Sequence, residues 1–148
     1  MNRWVRVLVL ALAAIGCNRQ PASAPIAGPQ SGEGWEVRYL ATLSLARRGS
    51  EKFHDPVVTD LMLEMLDFDQ QLRNSRRTID GREVVDQSNA SATVYGALDA
   101  LAEYHRRRPD DDLSAFKTAI DKLVDGRNAT LANKAKAVRE QLAIKPAK

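Results

Sequence analysis

The stretch WEVRYLATLSLARRG, Trp35–Gly49, is the first part of the chain that reads as a regular element, and the fold follows from how it is read. Val37, Leu40, Ala41, Ser44 and Leu45 recur at intervals of three and four residues, the spacing of one helix face, and Gly49 is placed to end the helix in a left-handed residue. The spacing predicts a helix over Trp35–Arg48 with those five side chains inward.

The same signals recur downstream. Asp55 is placed as an N-cap and Pro56 as the first helical residue, where a missing N–H removes no helix bond. A second helix is predicted over Pro56–Arg76, with Val58, Leu61, Met62, Met65 and Leu72 inward and Arg73, Arg76 and Arg77 near its negative end. Thr78–Asp86, with the turn dipeptide Asp80-Gly81, is expected to be the main loop. A third helix is predicted over Asn89–Arg107, capped by Ser88 or Asn89 and ended by Pro109, with Val94, Ala97, Leu98, Leu101 and Ala102 as its buried stripe. Leu113, Phe116, Ile120, Leu123 and Val124 mark a fourth helix over Leu113–Val124; Leu131, Ala135, Val138 and Leu142 mark a fifth over Ala129–Ala143, capped by Asn128. The basic run Arg106–Arg108 and the acidic run Asp110–Asp112 match the dipoles of the helix ends they flank. No segment sustains a period of two, so strands are not expected. The class is all-α: about five helices in one domain, residues 34–144, with a frayed tail at 145–148.

Aligning Val37 with Thr93 places Ala41 on Ala97, Ser44 on Ala100, Leu45 on Leu101 and Ala46 on Ala102, so small residues recur where neighbouring helices approach closely. The pattern Val37-Arg38, Ala41, Leu45-Ala46, Gly49 resembles the first helix of a HEAT-type repeat. The resemblance implies stacked antiparallel helical hairpins, a short α-solenoid. An up-and-down bundle of five helices carries the same local signals.

Two stretches of different character precede the domain. In MNRWVRVLVLALAAIGC, Met1–Cys17, Arg3 and Arg6 come before an unbroken apolar run of nine residues, Val7–Ile15. A bilayer core takes about 20 residues of helix, so this run has the length of a signal h-region rather than a span. Asn18–Glu33 carries Pro21, Pro25 and Pro29 and almost no large apolar residue, the composition of a disordered tether. Ala14-Ile15-Gly16-Cys17 resembles the lipobox of a bacterial lipoprotein signal. The resemblance implies cleavage after Gly16, loss of residues 1–16, lipid on the Cys17 sulfur and on the new amino terminus, and a domain tethered to a cell-envelope membrane by residues 17–33. In a Gram-negative cell, Asn18 after the cysteine implies the periplasmic side of the outer membrane. Cys17 is the only cysteine, which excludes an intramolecular disulfide or a thiolate metal cluster and leaves attachment as its use.

The full chain carries 22 Lys+Arg and 19 Asp+Glu. Loss of Arg3 and Arg6 leaves 20 basic residues against 19 acidic ones, a net charge of +1 that does not suit a nucleic-acid binder. His54 and His105 are the only histidines, and both read as peripheral. Glu51, His54 and Asp55 form the one cluster with metal-binding or general-base chemistry, without HExxH or a second histidine at ligand spacing. Glu64, Asp67 and Asp69 read as a solvated helix surface. No GxSxG and no glycine-rich phosphate loop is present, so neither catalysis, nor a cofactor, nor a small-molecule substrate is expected. Asn89-Ala90-Ser91 and Asn128-Ala129-Thr130 read as helix caps rather than glycosylation sites. Beyond Gly126, Arg127, Lys134, Lys136, Arg139, Lys145 and Lys148 face a single acid, Glu140; Arg127, Lys134, Lys136 and Arg139 are the candidate interaction surface. The expected function is that of an envelope scaffold or protein-interaction module. A metal-binding protein or enzyme built on Glu51, His54 and Asp55, and a self-associating structural protein, are the alternatives.

Overall fold

The computed structural model describes residues 34–143. The expected signal, tether and tail, including Gly16, Cys17, Lys145 and Lys148, lie outside the described residues. Within them the protein is mostly helical, with six α-helices, two 3-10 turns and one antiparallel hairpin. No helix among the described residues is long and apolar enough to cross a membrane.

α1 (Gly34–Arg47) ends in a Schellman arrangement. The Gly49 N–H donates to the Ala46 carbonyl at 2.9 Å and the Ser50 N–H to the Leu45 carbonyl at 3.1 Å, with Gly49 at φ 65°. Its buried face is not the expected one. Tyr39, Thr42 and Ala46 are inward and Trp35 and Leu43 partly so, whereas Val37 and Leu40 are 67% and 64% exposed and Ala41 and Ser44 are exposed with them. Apolar residues occur all round this helix, so periodicity selects no face. The aromatic pair Trp35–Tyr39, in edge contact at 5.1 Å, and the hydrogen bonds of Tyr39 decide it. The repeat alignment fails on the same point: Ala97 and Ala100 are buried, while their counterparts Ala41 and Ser44 face water.

The long second helix is in fact two. Asp55 Oδ1 accepts the Val57 N–H at 2.9 Å and opens α2 (Pro56–Leu66). Asp67 closes it, because its extended backbone (φ −80°, ψ 96°) and its carboxylate, which accepts the Gln70 N–H at 3.1 Å, start α3 (Phe68–Asn74). Buried side chains hold the break. Gln71, 1% exposed, donates to the Glu64 carbonyl at 2.8 Å and to the Tyr39 hydroxyl at 3.1 Å, and that hydroxyl donates to Glu64 Oε1 at 2.7 Å. The expected acidic surface is therefore put to use: Glu64 is a half-buried acceptor, Asp67 is a cap, and Asp67 and Asp69 stand 3.6 and 3.5 Å from Lys122.

The end of the expected helix and the expected loop form a hairpin, which the all-α expectation did not contain. β1 (Arg76–Ile79) and β2 (Arg82–Val85) pair from Arg76 with Val85 to Ile79 with Arg82. Asp80 and Gly81, at φ 51° and 75°, form the turn of type I′ that matches strand twist. Strands of four residues are too short for alternation to register. All ten residues from 76 to 85 are exposed.

α4 (Gln87–Arg107) is the axis of the domain and is capped by Asp86 instead of Ser88 or Asn89: the Asn89 N–H donates to Asp86 Oδ1 at 3.0 Å. It packs against α1, α2, α3 and α6. Its small residues Ala90, Ala97 and Ala100 are fully buried and let those neighbours approach, while Val94, Leu98, Leu101 and Tyr104 fill the space between. The fourth predicted helix begins late, as a 3-10 turn at Ser114–Phe116 followed by α5 (Lys117–Val124). α6 (Ala129–Ala143) is capped by Asn128, whose Oδ1 accepts the Leu131 N–H at 3.2 Å, and buries Leu131, Ala135 and Val138.

Candidate functional site

Two connections meet at the C-terminal end of α4: the one from α1 to α2 and the one from α4 to α5. Phe53, fully buried, lies with ring centroids 4.4 Å from Tyr104 and 5.6 Å from Phe116, which fixes the 3-10 turn Glu51–His54 against the core. That turn presents His54. Its Nε2 is 3.0 Å from Asp111 Oδ2 and 2.9 Å from the Tyr104 hydroxyl, and the hydroxyl donates to the same carboxylate oxygen at 2.5 Å. With its proton directed at Asp111, the Tyr104 oxygen is left only to accept, so His54 Nε2 is the donor of this cluster. The Tyr104 hydroxyl and then His54 hold the Asp111 carboxyl below the usual carboxylate range. Burial, reinforced by the bond to Asp111, pushes the Tyr104 phenol well above its usual value.

Arg108 spans the same junction, its Nε donating to the Gly49 carbonyl at 2.9 Å and its guanidinium to Glu51 at 3.2 Å. Arg106 and Arg107 both close on Glu103, at 2.7 and 2.9 Å. The Arg106 hydrogen bond above all holds that carboxyl down at about 2. Of the charge runs around Pro109, Arg108 and Asp111 thus tie segments together, a role beyond answering helix dipoles, while Arg106 and Arg107 pair within α4. Glu51, His54 and Asp55, expected to share one chemistry, are divided: Glu51 goes to Arg108, His54 to Asp111 and Tyr104, and Asp55 to the first turn of α2. No group of three side chains able to hold a metal occurs among the described residues.

Next to Asp111 a cleft of about 290 Å³ opens between the end of α4, the start of α5 and α6, lined by His105, Asp111, Asp112 and Arg139 over Leu113, Ile120 and Leu142. His105, expected at the periphery, is only 8% exposed. The signal for this was present, because His105 follows Leu101 by four residues and Leu98 by seven, on the buried stripe of α4. Tyr104, three residues after Leu101, lies on the same stripe. Asp111 has no such signal, being 57 residues from His54 in the chain.

The expected basic surface is half neutralised. Lys134 pairs with Asp99 and stands 5.8 Å from the centre of the Tyr95 ring, and Arg139 pairs with Asp121 at 3.3 Å. Arg127 and Lys136 are exposed and form no ion pair among the described residues. No family model, curated protein or solved structure matches the chain.

Proposed function

We propose that the protein is an envelope lipoprotein in which lipid on Cys17 tethers the helical domain to a membrane through residues 18–33, and in which the domain binds a protein partner there. The observation that carries the interaction is the exposure of Val37 and Leu40, one turn apart on the helix into which the tether leads. With about two-thirds of its surface still in water, each such side chain forgoes about 1–2 kcal/mol of burial, which the surface of a partner restores. Arg127 and Lys136, the uncompensated members of the basic set, add steering toward an acidic partner. The packing of α4 against four other helices supports a bundle over an extended stack of hairpins, so the binding surface in this reading is a face of the bundle. The reading assigns the domain no catalysis.

Mass spectrometry of the mature chain tests the anchor. A diacylglyceryl-modified Cys17 at the amino terminus is expected; an unmodified cysteine or another terminus removes this half of the reading. Photocrosslinking in intact cells tests the surface. A discrete protein adduct from position 40, absent from a probe at exposed Thr118, is expected, and equal labelling or none from both positions sinks it.

A further inference from the structure

The cleft beside His105 has features that docking of a partner on α1 leaves unused. His105 is more than nine-tenths buried, yet it makes no hydrogen bond to any described residue. No enclosed side-chain nitrogen or oxygen among those residues is left without a partner, so the ring nitrogens of His105 reach the cleft surface. Both aspartates of the lining are turned to donors of their own: Asp111 accepts from Tyr104 and His54, and Asp112 accepts the Ser114 N–H at 2.9 Å and the Ser114 hydroxyl at 3.0 Å. Lys117 and Arg139 bring donors to the same lining: Lys117 is exposed with no ion pair among the described residues, and Arg139 spends one guanidinium nitrogen on Asp121 at 3.3 Å and keeps its other donors. Beneath these groups lie Leu113, Ile120 and Leu142.

We infer that this cleft binds a small organic acid with a short apolar chain, its carboxylate met by His105, Lys117 and Arg139 and its chain laid on the three aliphatic residues. A bare inorganic anion leaves that apolar floor unused. Ligand sites run from about 300 to 1,000 Å³, so a cleft of about 290 Å³ takes a ligand at the small end of that range. An amine of the same length is the counter-case, because Asp111 and Asp112 also line the cleft.

The test titrates hexanoate into the intact protein while the imidazole resonances are followed by NMR, with acetate and hexylammonium as controls. Saturable binding that shifts His105, at least roughly ten-fold tighter for hexanoate than for either control, is expected from a site that reads both the charge and the chain. Lys117→Glu, on the exposed rim where it disturbs no packing, is expected to weaken hexanoate about five-fold or more. Equal affinity for hexylammonium, unchanged affinity in Lys117→Glu, or no His105 shift at millimolar hexanoate each overturns the proposal.

Discussion

The Tyr104 hydroxyl donates to the Asp111 carboxylate at 2.5 Å, fastening the last turn of α4 to the loop that follows it. Because this bond holds the Asp111 carboxyl below its usual value, its contribution is complete above the unfolded value of about 3.9 and fades as pH falls through the folded one. Asp111→Asn is expected to lower stability by about 1 kcal/mol at pH 7 and by less at pH 3. Urea unfolding at the two pH values measures this, and an equal loss at both contradicts it.

Glu103 sits between Arg106 and Arg107 on an exposed face of α4, and its carboxyl is held at about 2. A ¹³C carboxyl titration of the folded protein is expected to find it ionised across the range where ordinary glutamates protonate. Arg106→Gln removes the larger of the two causes and returns the midpoint toward normal. A midpoint unmoved by that substitution contradicts the assignment.

Gly49 and Gly81 both have positive φ, 65° and 75°, but only Gly49 has a neighbour where a side chain begins. An added Cβ there meets the Arg107 Cβ at 3.1 Å, whereas at Gly81 nothing lies within 4 Å. Gly81→Ala is expected to lose about 1 kcal/mol from the left-handed backbone alone, and Gly49→Ala to lose about 1 kcal/mol more. Thermal unfolding of the pair separates backbone strain from crowding; equal losses remove the crowding argument.

Gln71 bridges Tyr39 and the end of α2 from a position with 1% exposure. Gln71→Leu keeps the volume but leaves the Glu64 carbonyl and the Tyr39 hydroxyl short of a donor, with an expected loss of about 2–3 kcal/mol. Burial, acting first, pushes the Tyr39 phenol up to about 12. Its contribution is therefore present below the unfolded value of about 10 and is lost as pH rises toward 12. Tyr39→Phe is expected to flatten the alkaline limb of the stability curve, which denaturation at pH 8 and pH 11 measures.

What was legible in the chain was local. The seam Leu131, Ala135, Val138 on α6 and the caps Asp55 and Asn128 depend only on residues within a turn or two, and they lie where their spacing puts them. The face of α1 was not legible, because Val37 and Leu40 compete with Trp35 and Tyr39, and the contest is settled by Glu64 and Gln71, 25 and 32 residues beyond Tyr39. The break at Asp67 has the same cause: an acid with the look of solvated surface becomes a cap only once Gln71 holds the end of α2. At the site, the burial of His105 and Tyr104 could be read from helical spacing. The pairing of His54 with Asp111 required the two connections to be brought together in space.

The Asp86 N–H donates to the Ser75 carbonyl at 2.9 Å, so the chain leaves the helical domain and returns to it through one hydrogen bond, and every residue of the hairpin in between is exposed. An excursion that starts and finishes at one point is detachable: a tight turn from Ser75 to Asp86 closes the domain with its packing intact. Residues 76–85 can therefore vary, lengthen at Asp80-Gly81 or carry a grafted peptide on a schedule of their own, while the helices beneath keep a sequence answerable only to each other.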